Sequence, residues 1–337
     1  METPAHSEPD LPLVSVIMAS YNTAAYVAEA IESVLAQDYP NKELIVVDDG
    51  STDGSVDVIR RFGNRVRLLQ QENRGPAAAR NAGIAAAKGR YIAFHDSDDL
   101  WLPGRMTAQV AYLEANPDVA LVYVGIVWWF RDTDGSFRLP ALPPTPPLDD
   151  RGAPDIRVDE QNSGWIYHRL LFDPILSTIT TMMRRSLLDQ IGMFDESLKR
   201  GEDYDLWLRA SRVTRMQKLA FPGALYRRHD QGTEKTFHEQ NYELQVLERA
   251  IACWGNQGPD GSVADPRLLR KRLARSSYGF GYYHFWKGSP RLAFRSFLRS
   301  LRRDPARIKT WAYTGLSAAR ALVPQRANRR PTDASGD

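Results

Sequence analysis

An α/β domain on a mostly parallel sheet is the architecture the sequence predicts, with a helical region appended behind it. Three observations carry this: short β-branched runs alternate with helical patterns through the first hundred residues, each apolar run ends in a polar loop, and from Asn241 onward the pattern is helical. Val14-Ser15-Val16-Ile17-Met18 is the first strand, and Val27, Ile31, Val34 and Leu35 follow at helical spacing. Leu44-Ile45-Val46-Val47 is a continuous apolar run, as a strand covered on both faces requires, and it stops at Asp48-Asp49-Gly50. Residues 66–69 give a third strand and residues 76–87 an alanine-rich helix with proline at its start. Tyr91-Ile92-Ala93-Phe94 is a fourth strand and runs directly into Asp96-Ser97-Asp98-Asp99. A helix over residues 103–115 and a buried strand within the apolar run 119–130 come next. Residues 165–229 form a further organised region that completes the domain.

In open parallel sheets ligands bind beyond the carboxyl ends of the strands, so Ser20-Tyr21-Asn22, Asp48-Asp49-Gly50-Ser51 and residues 96–99 are expected to converge on one edge. Bulk properties narrow the classes. With 337 residues, 43% hydrophobic and 25% charged, the chain holds one large core plus an accessory module. A net charge of +3 gives no case for wholesale nucleic-acid binding. Cys253 is the only cysteine, which excludes an intrachain disulfide or multi-cysteine metal site and suits a reducing compartment, so the cytoplasm is the default expectation. Residues 1–10 are polar and acidic and do not read as a signal peptide. The apolar run 119–130 falls short of the ~20 residues a membrane-spanning helix needs.

The expected organisation is a disordered tail over 1–11, the α/β domain over 12–240, a helical region over 241–325 and a second disordered tail over 326–337. Inside the first domain, residues 131–161 carry five prolines between 140 and 147 and read as a mobile loop, a lid, an acceptor-binding segment or an insertion. Near the C-terminus, Tyr282, Trp286, Gly288, Ala293, Phe297, Leu301 and Pro305 resemble one helix-turn-helix repeat of the tetratricopeptide kind. About a dozen Lys and Arg residues stand against Asp304 alone between Arg267 and Lys309, interleaved with aromatic residues. That pattern reads either as a solvated basic face or as peripheral attachment to an anionic membrane surface.

Asp96-Ser97-Asp98-Asp99 places three carboxylates in four residues after an apolar strand, and their mutual repulsion calls for a cation. A hard divalent ion, Mn²⁺ or Mg²⁺, takes one or two carboxylates and fills its remaining positions with water and phosphate oxygens. The plainer alternative is an acidic turn capping the next helix. Asp49 could accept hydrogen bonds from a base N–H or ribose hydroxyl, while Ser51 or Asp53 caps a helix. Asn73-Arg74-Gly75-Pro76 and Ala79-Arg80-Asn81 open and line another helix, where backbone N–H groups and Arg80 could meet phosphate or base.

Together, the segment 14–22, Val46-Val47-Asp48-Asp49-Gly50-Ser51, Asn73-Arg74-Gly75, Ala79-Arg80-Asn81 and Asp96-Ser97-Asp98-Asp99 resemble the family 2 inverting glycosyltransferases. The resemblance continues through Gly192-Met193-Phe194-Asp195-Glu196 and Gly201-Glu202-Asp203-Tyr204-Asp205-Leu206-Trp207 to Tyr226-Arg227-Arg228-His229, covering roughly residues 12–232. It implies the Rossmann-like fold called GT-A, a nucleoside-diphosphate sugar donor that is commonly UDP-linked, and Mn²⁺ or Mg²⁺. It further implies a saccharide or lipid-linked acceptor, most commonly in cell-surface polysaccharide or glycolipid synthesis. Carried over by position, Ser20, Tyr21, Asn22, Asp49, Gly75, Arg80 and Asp96 would bind the nucleotide. Asp98 would be the principal metal carboxylate, with Asp96, Asp99 and His229 adjoining, and Asp203 the catalytic base beside Glu202. His229 reads equally as structural. A nucleotidyltransferase is the enzyme alternative, although it should place a glycine-rich basic loop where Ser20-Tyr21-Asn22-Thr23-Ala24 stands. A catalytically silent sugar-nucleotide-binding or assembly protein is the alternative from another class.

Overall fold

A computed structural model describes residues 11–142, 146–147, 154–229 and 238–322. The segments 1–10 and 326–337, expected to be tails, lie outside the described residues. The elements run β1 (Val14–Ser20), α1 (Val27–Leu35), β2 (Lys42–Asp48), α2 (Ser55–Arg60), β3 (Arg67–Gln70), α3 (Pro76–Ala86), β4 (Tyr91–Asp96), β5 (Leu100–Trp101), α4 (Arg105–Ala115) and β6 (Val119–Trp129). They continue with α5 (Tyr167–Leu170), β7 (Thr181–Arg184), α6 (Arg185–Ile191), α7 (Glu202–Ala210), β8 (Arg215–Arg227), α8 (Tyr242–Trp254), α9 (Pro266–Lys287), α10 (Pro290–Arg303) and α11 (Ile308–Leu322).

The first unit holds one eight-stranded sheet in the order β3-β2-β1-β4-β7-β6-β8-β5. Parallel pairing joins β3, β2, β1 and β4, and again β6 with β8, while β7 runs antiparallel between β4 and β6, and β5 runs antiparallel to β8. The sheet is mostly parallel, as predicted. Val16, Ile17, Met18, Ile45, Val46, Val47, Ile92, Ala93 and Phe94 are wholly buried, which is why their sequences read as unbroken apolar runs rather than alternation. α3 is alanine-rich because it lies close on β1: a Cβ at Gly83 would stand 2.3 Å from a methyl of Ile17.

Strand register places the loops. Ser20 pairs with Asp48, and Ala19 with Asp96, so the polar residues after β1, β2 and β4 leave the sheet at one level. Gly50 begins the turn after β2 with φ +79, and a Cβ there would stand 2.8 Å from the backbone nitrogen of Asn73. We expect Gly50→Ala to cost about 1–3 kcal/mol, read by urea denaturation. The displaced segment is the loop leading into Gly75, at the start of α3.

Part of the proline-rich segment 131–161 is fastened. Phe137 and Leu142 pack against Leu102, Trp129 and Leu225, the Trp129 indole donates to the Arg138 carbonyl at 2.6 Å, and Val158 bridges to Leu219 of β8. Residues 143–145 and 148–153 lie outside the described residues.

The second unit comprises, among the described residues, 238–247 and 265–322, whereas 248–264 group with the first. The chain thus passes back to the first unit within α8 and leaves it again before α9, a return that a single boundary before residue 241 does not anticipate. Asp265 caps α9 by accepting from the backbone N–H of Arg267 and Leu268, Ser289 caps α10 through Leu292, and a proline follows each cap. Ala293 and Phe297 of α10 pack with Phe285, Tyr278 and Tyr313, so the expected helix-turn-helix forms around Gly288. Among the described residues no helix is long and apolar enough to cross a membrane.

Candidate active site

The loop after β1 and the loop after β2 are welded together. The Asn22 N–H donates to Ser51 Oγ at 2.9 Å, and Asn22 Oδ1 accepts from the Thr52 N–H at 2.8 Å. The Thr23 N–H donates to Ser55 Oγ and the Ala24 N–H to Asp53 Oδ2, both at 2.9 Å. Asn22 takes φ 52 to do this, a left-handed conformation that asparagine tolerates better than most residues. The Thr23 hydroxyl meets those of Ser20, at 3.1 Å, and Ser97, at 2.9 Å, which ties in the loop after β4.

Asp49 is buried, and its carboxylate organises the next loop. Oδ1 accepts from Gln71 Nε2 at 2.7 Å and from the Arg74 N–H at 2.9 Å, and Oδ2 accepts from the Gly75 N–H at 2.8 Å. Gly75, at φ +92, then opens α3. Oδ2 keeps a lone pair for an outside donor. Tyr21, Asp49, Asn73 and Gly75 line one end of a cavity of about 710 Å³, a volume typical of small-molecule sites.

The acidic segment lines the same cavity, but its members face different ways. Asp99 is 2% exposed and accepts from the Arg227 N–H at 2.7 Å. Burial, then Asp98 and Asp96, push its carboxyl well above the ordinary carboxylate range. Asp96 is raised by burial as well, although Arg80 donates to it at 2.9 Å and pulls the other way. Asp98 Oδ2 lies 2.9 Å from His229 Nε2. Arg227 pins the whole segment: its Nε donates to the Asp98 carbonyl at 2.8 Å and its Nη2 to Glu29 at 2.6 Å, while its guanidinium packs over the rings of Trp129, Tyr26 and Phe137.

No cluster of three or more His, Cys, Asp or Glu side chains converges as a metal cage among the described residues. Asp98 and His229 suffice as the protein's share for a hard divalent ion that keeps waters and phosphates as its other ligands. Asp99 is directed at backbone and Asp96 at Arg80, so neither joins that pair.

Arg80 stands at the centre of the remaining acids. It lies on α3, 6% exposed, and donates to Asp96 at 2.9 Å and to Glu202 at 2.7 Å. Burial opposes its charge, yet Asp96 and Glu202 outweigh that and raise its proton affinity above the ordinary value. Asp203, beside Glu202 in the first turn of α7, accepts from the Tyr204 N–H at 2.7 Å and from the Thr178 hydroxyl at 3.3 Å. Burial first and the Glu202 charge second push its carboxyl up to about 6, against the pull of Arg80. Thr178 is held from beneath: Trp101 Nε1 and Arg105 Nη1 donate to the neighbouring Ile179 carbonyl at 2.9 and 2.6 Å.

The structure thus gathers Ser20, Tyr21, Asp49, Gly75, Arg80, Asp96, Asp98, Asp99, Glu202 and His229 around one cavity. Asn22 is outside the lining and serves the loop weld, and Asp203 adjoins through Glu202. Sequence reasoning missed Gln71, Glu29 and Thr178, which carry no motif, and it assigned Arg80 to the ligand without seeing its two carboxylate partners.

Comparison with known proteins gives a consistent result. The model of glycosyl transferase family 2 matches residues 15–191, just over half of the chain. An uncharacterised glycosyltransferase of Rickettsia prowazekii is 35% identical over 60% of this chain and 60% of its own length. The putative teichuronic acid biosynthesis glycosyltransferase TuaG of Bacillus subtilis is 32% identical over 58% of this chain and 71% of its own. Among solved structures, S. aureus TarS residues 1–349 in complex with UDP-GlcNAc superposes with a TM-score of 0.60 at 18% identity, over 91% of this chain and 88% of that one. This supports the GT-A-like fold.

Proposed function

The chain belongs to glycosyl transferase family 2, and from that premise we propose an inverting, metal-assisted transferase that moves a sugar from a nucleoside diphosphate, UDP by preference, to an acceptor hydroxyl. The observation that carries the reading is the convergence of the loops after β1, β2 and β4 with the start of α7 on one cavity. The teichuronic acid biosynthesis for which TuaG is named and the UDP-GlcNAc held by TarS support a UDP-sugar donor and a cell-surface polysaccharide or glycolipid product.

In this reading Asp49 Oδ2 and the N–H groups it orders receive the base, with the half-exposed Tyr21 ring beside them. Asp98 and His229 would hold Mn²⁺ or Mg²⁺, which would supply positive charge against the leaving diphosphate. Arg80 holds Asp96 and Glu202 in place through its two ion pairs. Asp203 takes the acceptor hydroxyl's proton as the oxygen bonds to the anomeric carbon and the bond to the diphosphate oxygen breaks. Displacement in one step inverts that carbon, so an α-linked donor yields a β-linked product.

The test is release of nucleoside diphosphate from a panel of sugar nucleotides, with and without Mn²⁺, which needs only slow hydrolysis without acceptor. We expect one preferred donor, metal-dependent release, and a fall of about a hundredfold or more in Asp98→Ala. Folded protein that neither binds nor turns over any donor in the panel overturns the reading. Binding with no turnover, even on addition of cell-envelope saccharide acceptors, points to the silent binding protein.

A further inference from the structure

The second unit wears its amphipathicity inside out. α11 buries its hydroxyl-bearing side, with Thr310 and Ser317 fully buried and Thr314 8% exposed. Its large apolar side chains face solvent: Ile308 is 83% exposed, Trp311 58%, Leu316 54% and Leu322 85%. At 100° per residue these four, with Ala312 and Ala319, fall in one arc on the side opposite Thr310, Thr314 and Ser317. Scattered exposed leucines are ordinary, but a continuous apolar helix face in water marks a surface that something covers.

α10, packed beside it, is the reverse case. Ala293, Phe297 and Leu301 are buried, and Arg291, Arg295, Arg299 and Arg302 are exposed on the opposite side. Their spacing lines them up over an arc of about 80°, in a ridge roughly 16 Å long. None of the four pairs with a carboxylate among the described residues, and Asp304 is the only acid between Pro266 and Leu322. A straight ridge does not converge on a small anion; it matches a flat sheet of negative charge.

We propose that this unit docks the protein onto an anionic lipid bilayer, with the α11 apolar face seated at the headgroup–acyl boundary and the α10 arginines on the lipid phosphates. A basic helix beside an apolar, tryptophan-bearing one is the physical recipe for interfacial binding. A second copy of the chain fits worse, because two-fold pairing would bring arginine ridges together. The inference does not depend on the transferase reading, and the following test does not measure activity.

Full-length protein is sedimented with vesicles of phosphatidylcholine alone and with vesicles containing about 30 mol % phosphatidylglycerol. The expected result is partitioning to the anionic vesicles that weakens with added salt. Arg291→Glu, Arg295→Glu and Arg299→Glu together should reduce partitioning by roughly a hundredfold, and Trp311→Ser with Leu316→Ser by about tenfold. All five positions are exposed, so circular dichroism should be unchanged. Equal partitioning to both vesicle types, or none to either, overturns the proposal. So does retention on heparin without vesicle binding, or concentration-dependent dimerisation that the Trp311 and Leu316 substitutions abolish.

Discussion

Asp203→Asn is expected to lower turnover by about 10²–10⁴-fold while leaving donor affinity nearly unchanged. The carboxylate sits at the start of α7 with both oxygens already oriented, one by the Tyr204 N–H and one by the Thr178 hydroxyl. The amide keeps an acceptor for Tyr204 and the same shape, so it removes proton-accepting capacity and little else. With a carboxyl pushed up to about 6, the base is ionised at neutral pH yet far stronger than an ordinary aspartate. The native kcat/KM should therefore be level above about pH 7 and fall tenfold per unit below about 6. The stability effect has the opposite sense. Because the folded value lies above the ordinary 3.8, ionised Asp203 costs stability above pH 6, and that cost vanishes as pH falls through 6 towards 4. The Asn variant should accordingly match or exceed the native melting temperature at pH 8 and lose its advantage near pH 4. Retention of more than about a third of native turnover by this variant would remove Asp203 from the base role.

Arg80→Met should be the most destabilising single change at the site. It keeps volume and apolar stem but leaves Glu202 buried, and Asp96 partly buried, without their shared counter-charge, with Asp203 adjacent. Breaking a buried pair on one side costs about 3–5 kcal/mol, which for a domain of this size is a fall of roughly 10 °C in Tm. The loss is largest where the acids are ionised, so it should be greater at pH 8 than at pH 5, measured by thermal unfolding across that range. The same substitution removes the influence that holds Asp203 down, so any residual activity should have its acid limb displaced to higher pH. An equal loss at both pH values would mean that Arg80 acts through packing on Phe194, over whose ring it lies at 5.5 Å, and not through charge.

Amino-acid order is most informative where one strand makes one local statement. β1, β2 and β4 are buried on both faces and end in polar loops, so apolar run and loop chemistry together locate three walls of the cavity by themselves. β7 is not legible in this way. Thr181-Met182-Met183-Arg184 is four residues long and follows the 3-10 turn that carries Thr178, and its antiparallel place is set by pairing with Ile92 of β4 and Leu121 of β6, both far away in the chain. Long β8 reads only as part of a region completing the domain, because its side chains follow two different neighbours, β6 and β5. In the site, residue types are readable and allegiances are not. Arg80 serves Asp96 and Glu202, the latter 122 positions away, and Asp99 serves a backbone amide 128 positions away. Nothing local records such pairings. Arg227 and Arg228 look alike as letters, yet Arg227 is enclosed by the rings of Tyr26, Trp129 and Phe137 while Arg228 lies over Trp128.

The weld between the loops after β1 and β2 has a consequence for what length the chain tolerates. Five hydrogen bonds join residues 22–24 to residues 51–55, donors and acceptors lying on both sides. A residue added to either loop shifts every partner on the other out of reach, so neither can lengthen by itself. Surface connections ordinarily absorb insertions at small entropic cost. Here the two behave as one part, so added length at this edge of the cavity would have to come from another wall, such as the start of the stretch after β6 that contributes Phe130 and Arg131.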